Sequence, residues 1–468
     1  MKKIKRILAL LMALCLVICL AACADSDNDD TSSRRRKKDK TSSSTSSDET
    51  SSGGDVIISG TTETVALFGD LSGTKLRVAD DAVLEDWELA FYEQLEEETG
   101  MTVEMEPMSS SELGTKIAQA VASGDRRNYF DVGITANSGL LNTIYSNLAI
   151  PMDDYIYYDD PVWEYDEVAG FNSLDLFYID GHYWGAPSYN FHENYIFYNK
   201  TYFEEMGAPD PYKDYYLKDN WTFETFLDTC EAVTRKDSSG KTQTYAWATW
   251  NYFTFCSAAG NNMIEQDGNG EWQIVFDQPN GMAGLNVIYE SVKNGWLLTN
   301  SSGYDEFVNR KVAMFIEKPS SAIGGTDIYN RSSDEICIVP FPKMDKNQES
   351  YVCPMLVSGY YIAACTQNAA GAAAYIYYHR LGEQNRFSTQ EGKQYLAANI
   401  LNEESQQRRS EYLKECDFAV PFIDGLNGWY GGARETFLNV MRKEKKNPAV
   451  AVDTMISLVR DCLRRTVI

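Results

Sequence analysis

The chain has 468 residues, with 42 Lys and Arg against 68 Asp and Glu, and a formal net charge of −26. A chain this acidic is a poor candidate for a nucleic-acid-binding protein, which needs clustered basic residues to neutralise phosphates. The 44% of hydrophobic residues exclude a mainly disordered protein, and the length predicts two or three domains. With only three histidines, a His-based zinc or catalytic site is not expected, and we predict neither a metal nor a cofactor.

The first segment has the layout of a bacterial export signal. Basic residues within Lys2–Arg6 precede an apolar run, Ile7–Ala22, which is short for a membrane span and ends in small residues. Leu20–Cys23 resembles the lipobox of bacterial lipoproteins. The resemblance implies that residues 1–22 are a signal peptide and that Cys23 carries a diacylglycerol. The protein would then be lipid-anchored on the extracellular face of a Gram-positive cell membrane. An ordinary secretory signal with a chance cysteine is the alternative.

Residues 23–62 have the composition of a disordered tether. The basic run Arg34–Lys38 lies between an acidic segment and a Ser/Thr-rich segment, and none of these can bury apolar surface. As a flexible coil the tether would span roughly 35 Å on average. The basic run either binds anionic lipid head groups or wall polymers, or is solvated without a partner.

From about Thr62 onward, predicted strands and helices alternate, which favours an α/β fold. The predicted strands are Lys75–Ala79, residues 101–106 and Phe130–Thr135, and the predicted helices are Trp87–Leu95, ended by Gly100, and Leu113–Ser123. Ligands bind outside the carboxyl ends of strands in open α/β sheets. Four polar residues in such positions are therefore candidate ligand-binding residues: Asp80, Asp81, Asn137 and Ser138. Each is also explained as a helix cap or a turn residue.

The middle of the chain carries two hairpin signals and one helix cap. Asp180–Gly181 predicts a two-residue turn between aromatic strands, and Asp267–Gly270 predicts a hairpin rather than a calcium loop. Thr222 is predicted to cap a helix, and a further helix runs from about Gln278 to Gly295. Helices dominate the C-terminal third, including Ala369–Leu381 and Glu404–Cys416.

The cysteines do not form a recognisable framework. Seven lie after the tether: Cys230, Cys256, Cys337, Cys353, Cys365, Cys416 and Cys462. They are odd in number and show no C-x-x-C spacing, so a metal cluster is not expected. We predict mostly small buried thiols, with one or two disulfides at most.

Four segments together resemble the family 1 extracellular solute-binding proteins of ABC importers, which include maltose- and oligosaccharide-binding lipoproteins. They are Phe130–Val132, Asp180–Pro187 followed by Tyr198–Lys200, Trp221–Phe223, and Phe307–Met314. The sequence departs from the family pattern at His182, where Lys is usual, and at Asn309–Arg310, where Gly is common. It also has Thr225 where W-T-x-x-E would place Glu.

The resemblance implies an α/β fold of two lobes, of the class II periplasmic-binding-protein type, joined by a hinge of several chain segments. By analogy the chain crosses between lobes near Asp180–Trp184, Lys311–Val312 and Met355–Ser358. Lobe 1 then comprises residues 63–182 and 312–354, and lobe 2 comprises residues 183–311 and 355–468. The implied protein is a monomer that binds a small molecule between its lobes and passes it to the transmembrane permease subunits of an ABC importer.

Aromatic residues are the natural candidates for the ligand cleft, because Trp and Tyr offer a sugar ring both an apolar face and a polar handle. The candidates in the central segments are Trp184, Tyr189, Trp247, Trp250, Tyr252 and Phe253. The resemblance adds Trp429 and Tyr430, a late Trp-Tyr pair, and Lys318, in a loop after a strand. Any one of these aromatics is equally explained as part of the core.

The preferred function is a solute-binding protein without catalytic activity, whose ligand is a sugar or oligosaccharide. The alternatives are a surface lipoprotein that hydrolyses glycans, a binding protein for a non-sugar solute such as a peptide or a polyamine, and an adhesin. Ser72–Lys75 matches the S-x-x-K motif of one hydrolase class, but convincing partner motifs are missing. No nucleic-acid partner is expected.

Overall fold

The computed structural model describes residues 61–80, 86–124, 129–164, 171–188, 192–249, 251–299, 303–317, 331–388 and 402–467. Its helices are α1 (Thr62–Phe68), α2 (Asp86–Thr99), α3 (Ser110–Ser123), α4 (Leu140–Tyr145), α5 (Lys200–Met206), α6 (Phe223–Val233), α7 (Thr254–Ala258), α8 (Pro279–Asn294), α9 (Tyr304–Val308), α10 (Ala369–Ser388), α11 (Glu403–Leu413), α12 (Arg434–Arg442) and α13 (Pro448–Val467). Within these ranges no helix is long and apolar enough to span a membrane.

The strands are β1 (Lys75–Asp80), β2 (Thr102–Pro107), β3 (Val132–Ala136), β4 (Tyr178–Ile179), β5 (His182–Tyr183), β6 (Ala186–Pro187), β7 (His192–Glu193), β8 (Tyr195–Asn199), β9 (Arg235–Lys236), β10 (Thr242–Thr249), β11 (Ile264–Gln266), β12 (Trp272–Ile274), β13 (Val312–Glu317), β14 (Ile336–Val339), β15 (Val352–Leu356), β16 (Ser358–Ile362) and β17 (Asp417–Ala419). The predicted elements of the first 140 residues are confirmed within a few positions, and Gly100 follows α2 in the left-handed region at φ 68°.

The first lobe is built on β1, β2, β3, β6 and β16. Strands β1 and β2 pair in parallel, while β16 lies between β3 and β6 and pairs antiparallel with both. Asp131 joins the β1-β2 pair to the β3-β16-β6 sheet. Its carboxylate accepts the Arg77 backbone N–H at 2.7 Å, and its own N–H donates to the Arg77 carbonyl at 2.8 Å. The Asp of the family's hydrophobic-Asp-Val segment is therefore a buried structural residue here.

The N-terminal end of the described chain is held on the first lobe by a buried carboxylate. Asp160 accepts hydrogen bonds from the hydroxyls of Thr61 and Thr64, both at 2.5 Å, from the Tyr377 hydroxyl at 3.0 Å and from the Val162 N–H at 3.0 Å. Because Tyr377 belongs to α10, this one carboxylate fastens α1 to the helix that covers the first-lobe sheet.

The second lobe is built on a five-stranded sheet with the order β14-β8-β13-β10-β9. Strands β10 and β13 are parallel, and β8 runs antiparallel to both of its neighbours. Helix α6 packs on β10 and is capped by Thr222, as predicted. The hydroxyl of Thr225 accepts the Thr222 N–H at 2.9 Å, so threonine supplies the reciprocal bond that Glu supplies in the usual capping box.

The two lobes are joined by a crossing ribbon, which we define as residues 186–188 and 192–193, both antiparallel to residues 354–360. Its first-lobe end pairs Ala186 with Tyr360, and its second-lobe end pairs Glu193 with Met355. In between, the Ser188 N–H donates to the Ser358 carbonyl at 2.9 Å. Residues 189–191 lie outside the described part of the chain.

The position of this ribbon shows that two of the three predicted crossings between the lobes are wrong. The crossing expected near Met355–Ser358 lies in it, but Asp180–Trp184 forms a local hairpin of β4 and β5 within the first lobe. Lys311–Val312 leads into β13, which pairs with β8 and β10 inside the second lobe.

The predicted lobe boundaries are therefore wrong at two segments. Strands β13 and β14 (residues 312–317 and 336–339) share the second-lobe sheet, and residues 358–388 belong to the first lobe through β16 and α10. Pairing between strands that lie more than 100 residues apart in sequence decides to which lobe a segment belongs. The local sequence motifs do not specify this pairing.

The two predicted hairpins are confirmed. Asp180 (φ 54°) and Gly181 (φ 83°) form the turn between β4 and β5, and residues 267–271 connect β11 to β12. The seven cysteines after the tether are all free, and five of them are buried.

Asp160→Ala should lower the free energy of unfolding by about 3 kcal/mol, because it removes the shared acceptor of several buried donors. The neighbouring Asp159 is exposed, so Asp159→Ala should change stability by less than about 0.5 kcal/mol. Urea unfolding followed by circular dichroism measures both, and equal effects of the two substitutions would contradict this role of Asp160.

Candidate functional site

The candidate site lies where sheets of the two lobes end near each other. On the first-lobe side, β3 ends at Ala136 and continues through a single turn, Asn137–Gly139, into α4. Ser138 is buried, and its carbonyl abuts the backbone at Gly425 so closely that no side chain fits there. Residues 422–425 follow the second-lobe strand β17, so this is a direct contact between the lobes.

On the second-lobe side, two parallel strands end together. Thr249 of β10 is in register with Ile316 of β13, so the segments after both strands leave the sheet at the same edge. Asn251 then forms a tight turn, with its N–H donating to the Thr249 hydroxyl at 3.0 Å and its side-chain oxygen accepting the Phe253 N–H at 3.2 Å.

This turn carries aromatic residues to the late glycine-rich segment. The Phe253 and Trp429 rings lie 5.3 Å apart between centroids, and the Arg442 guanidinium lies 5.2 Å from the centroid of the Tyr252 ring. Burial raises the pKa of Tyr252. Two of the regions that the sequence analysis selected, about 180 residues apart, therefore meet beside the contact between the lobes.

The structure separates the predicted aromatics by burial. Trp429 is fully buried, and its indole N–H donates to the Asp424 carboxylate at 2.9 Å, so it has no solvent-exposed face in this conformation. Tyr252 is also buried. Trp184 is half-buried, and its indole N–H donates to the Ile179 carbonyl at 2.9 Å.

Trp247 is a core residue, which corrects its selection as a ligand-binding candidate. It is fully buried, its indole N–H donates to the Ser291 hydroxyl at 3.0 Å, and the rings of Phe226 and Phe255 pack against it. It lies within β10, where alternate side chains face opposite sides of the sheet, and both faces of this sheet are covered.

Several predicted residues cannot be placed. Asp81, Tyr189, Trp250 and Lys318 lie outside the described residues, as does Cys23. For three others only the backbone is described: Asp80 ends β1, Asn137 opens the turn after β3, and Tyr430 follows Trp429 in a π-helical turn.

A second contact between the lobes was not predicted. The Tyr145 hydroxyl donates to the Asp180 carboxylate at 2.6 Å and accepts the Trp272 indole N–H at 3.0 Å. The Gln266 amide also donates to Asp180. Tyr145 and Asp180 belong to the first lobe, while Gln266 and Trp272 belong to the β11–β12 hairpin of the second. Burial, with a smaller effect of Asp180, raises the pKa of Tyr145 to about 12, so its hydroxyl stays protonated at neutral pH.

Both turns of this contact were recognised in the sequence, as Asp180–Gly181 and Asp267–Gly270. Neither turn carries a signal that the two hairpins meet, because the contact depends on how the lobes are oriented. We refer below to Tyr145, Asp180, Gln266 and Trp272 as the hairpin contact.

Among the residues that the structure describes, one group of side chains has ligand atoms close enough for a metal ion, namely Glu335, Cys337 and Glu404. Both carboxylates of this group already form ion pairs with basic side chains. Lys200 lies 2.7 Å from Glu335, and Arg408 lies 2.5 Å from Glu404. Burial raises the pKa of the Cys337 thiol, so the thiolate that a metal needs is disfavoured. We assign this group a structural role.

The Ser72–Lys75 motif does not form a catalytic pair. Ser72 lies in an exposed turn, where its N–H donates to the Asp70 carboxylate at 2.9 Å. The Lys75 ammonium binds Glu104 at 2.7 Å, and this hydrogen bond raises the pKa of the lysine rather than preparing it as a base.

A family model described as bacterial extracellular solute-binding protein matches residues 90–399. It covers about two thirds of the chain, and the protein belongs to this family. The comparison with curated proteins returned no match.

Solved structures show the same fold at low sequence identity. A cyclo/maltodextrin-binding protein complexed with maltotetraose is 16% identical, with 83% of this chain and 96% of that chain covered and a TM-score of 0.61. The cyclic α-maltosyl-1,6-maltose binding protein from Arthrobacter globiformis is 13% identical, with coverages of 84% and 99% and a TM-score of 0.60. UgpB from Mycobacterium tuberculosis in complex with glycerophosphocholine is 14% identical, with coverages of 85% and 100% and a TM-score of 0.59.

These matches confirm the predicted fold class. The chain is a two-lobed α/β protein, and it is an extracellular solute-binding protein of the ABC importer type.

Tyr145→Phe should shift the ligand-free protein toward a more open arrangement of the lobes. It removes the hydroxyl that joins Asp180 to Trp272, and a loss of about 1.4 kcal/mol would lower the ratio of closed to open molecules about tenfold. Small-angle scattering should show a larger radius of gyration. Tyr158→Phe is the matched control, because Tyr158 donates to Asp175 within the first lobe, at 3.1 Å. An unchanged scattering profile of Tyr145→Phe would contradict a closing role for the hairpin contact.

Proposed function

We propose that this protein is a lipid-anchored binding protein that captures a sugar or oligosaccharide between its lobes and delivers it to the permease subunits of an ABC importer. The observation that carries this proposal is the meeting of the Tyr252–Phe253 turn with Trp429 beside the contact between the lobes. These rings are buried and form an aromatic wall at the edge where β10 and β13 end, and aromatic residues next to this wall would suit the apolar faces of sugar rings.

The ligand residues of this proposal are those next to the described wall. They are Trp250 and Tyr430, which adjoin its two aromatic segments in sequence, Lys318, which follows β13 in sequence, and Tyr189, which follows Ser188 in sequence. Asp80, Asp81, Asn137 and Ser138 would supply hydrogen bonds from the carboxyl ends of β1 and β3.

A second candidate ligand is a small solute that carries a cationic group. The body, residues 63–468, has a net charge of −28, and one structural neighbour was solved with glycerophosphocholine. We favour a sugar because the aromatic segments meet beside the lobe contact, whereas net charge acts over the whole surface and does not select a ligand. We further propose that the protein binds its solute without catalysis, since the only motif that favoured an enzyme is engaged in structural contacts.

Isothermal titration calorimetry tests these candidates directly. The panel should contain maltotetraose, a cyclodextrin, glycerophosphocholine, spermidine and a short peptide. The proposal requires 1:1 binding of a saccharide with no released product on long incubation. Binding of glycerophosphocholine or spermidine alone would favour the second candidate. Turnover of a saccharide would contradict the absence of catalysis.

Trp250→Ala should weaken saccharide binding at least about tenfold, roughly 1.4 kcal/mol, through loss of a stacking surface, with little change in the free energy of unfolding. Trp247→Phe is the matched contrast three residues away. It should keep the affinity but lower stability by about 2 kcal/mol, because it leaves a gap and an unpaired Ser291 hydroxyl. Calorimetry and urea unfolding of both variants separate the two roles, and a loss of affinity in Trp247→Phe alone would reverse the assignment.

Cys23→Ser should abolish attachment of fatty acid and leave the precursor unprocessed before residue 23. Metabolic labelling with an alkyne fatty acid measures the attachment, and Cys19→Ser is the control because it removes a thiol within the proposed leader. Undiminished labelling of Cys23→Ser would show that the lipid lies elsewhere or that Leu20–Cys23 is not a lipobox.

A further inference from the structure

The first lobe carries a group of exposed aromatic side chains on and beside the β4–β5 hairpin. We call Tyr157, Tyr158, Tyr178 and Tyr183 the tyrosine patch. Tyr178 is 48% exposed, and Tyr157 and Tyr158 are each 39% exposed. The Tyr183 ring lies 4.8 Å from that of Tyr178 and 6.0 Å from that of Tyr158, between centroids, so these three rings form one continuous surface, and Tyr157 precedes Tyr158 in the chain.

Carboxylates surround this surface. Asp153, Asp154, Asp159 and Asp175 are all exposed, and Asp175 accepts the Tyr158 hydroxyl at 3.1 Å. Burial, with further contributions from Asp175 and Asp153 among its neighbours, raises the pKa of Tyr183 to about 12. The negative charge that disfavours a tyrosinate here would attract a cation.

The protein body supplies little charge to balance these carboxylates. From residue 128 to residue 199 the sequence contains neither lysine nor arginine. In the part of the chain that the structure describes, no lysine or arginine pairs with the four carboxylates; the single charge-capable partner is His182, at 3.2 Å from Asp153. Aromatic rings flanked by carboxylates bind guanidinium and ammonium groups through cation–π and ionic attraction.

The described chain begins next to this patch. The Thr61 hydroxyl donates to Asp160, and the Asp160 backbone N–H donates to the Tyr157 carbonyl at 3.1 Å. The preceding residues therefore join the body at the edge of the patch. The basic run Arg34–Lys38 ends 23 residues before Thr61, which a flexible coil spans in roughly 25–29 Å.

We propose that the basic run Arg34–Lys38 docks on the tyrosine patch of its own chain. Its guanidinium and ammonium groups lie over the phenol rings and between the carboxylates of Asp153, Asp154, Asp159 and Asp175. Because the connecting segment is short, the effective concentration of the run at the patch is about 1 mM, so a contact with a Kd of about 0.1 mM is about 90% formed. Docking shortens the tether and holds the first lobe close to the anchored end.

Photo-cross-linking in the chain from residue 23 to residue 468, with Cys23→Ser, tests the docking. A photoreactive phenylalanine replaces Ser33, next to the basic run, and mass spectrometry maps the cross-linked peptides. We expect enrichment in residues 153–160 and 175–184, and a fall of at least about threefold in 0.5 M NaCl, where exposed charges are screened. The substitutions Arg34→Glu, Arg35→Glu and Arg36→Glu together should remove the enrichment.

Matched substitutions on the body locate the contact. The double variant D159N/D175N should lower the cross-link yield at least about threefold. The control E444Q/D453N removes two exposed carboxylates of the second lobe and should leave the yield unchanged. Circular dichroism verifies that the variants fold, and the salt series on the unsubstituted body gives the same test without them.

Three outcomes would overturn the proposal. They are a lack of cross-link enrichment at the patch, an enrichment that survives D159N/D175N, and a transfer of all cross-links from the patch to lipid when vesicles containing phosphatidylglycerol are added. The last outcome would identify the basic run as a membrane-binding segment instead. Cross-links that persist at the patch with vesicles present support the docking. None of these outcomes depends on the identity of the transported solute.

Discussion

The crossing ribbon is the constraint on which the rest of this structure depends. Its two antiparallel segments hold the lobes in register through backbone hydrogen bonds, so one lobe can turn relative to the other without sliding along it. Its second-lobe end is fixed by a buried ion pair, in which the Glu193 carboxylate binds the Arg409 guanidinium of α11. Removing one partner of such a pair would leave the other charge buried, so this end of the ribbon is expected to be rigid.

The remaining contacts between the lobes differ in how easily they break. Leu140, Leu141 and Ile144 of α4 are buried in the same hydrophobic cluster as the second-lobe sheet, which favours a closed arrangement. The hairpin contact is polar and its carboxylate is exposed to solvent, so water can replace its hydrogen bonds at small cost. Polar contacts of this kind are suited to forming and breaking as a solute enters and leaves.

Burial also separates the roles of the aromatic side chains, because some are packed in the core and others are accessible to solvent. Trp247 and Trp429 both contribute to the core, and each satisfies its indole N–H inside the protein. Trp429 lies beside the lobe contact and Trp247 lies inside the second lobe, whereas the tyrosine patch consists of exposed and half-buried rings on the first lobe. A single feature of the composition therefore serves packing, the proposed solute site and the proposed tether contact.

The sequence by itself determined the local structure. The Asp180–Gly181 turn, the cap at Thr222 and the helix end at Gly100 all form as predicted, because each depends on residues only a few positions apart. The family resemblance extended this to the two-lobed fold. Lobe membership and the burial of Trp247 were decided only by tertiary structure. Strand β13 pairs with β8 and β10, and β16 pairs with β3 across more than 200 residues, and no local pattern specifies such pairings. For the same reason, two correctly predicted turns did not reveal that their hairpins meet at Tyr145.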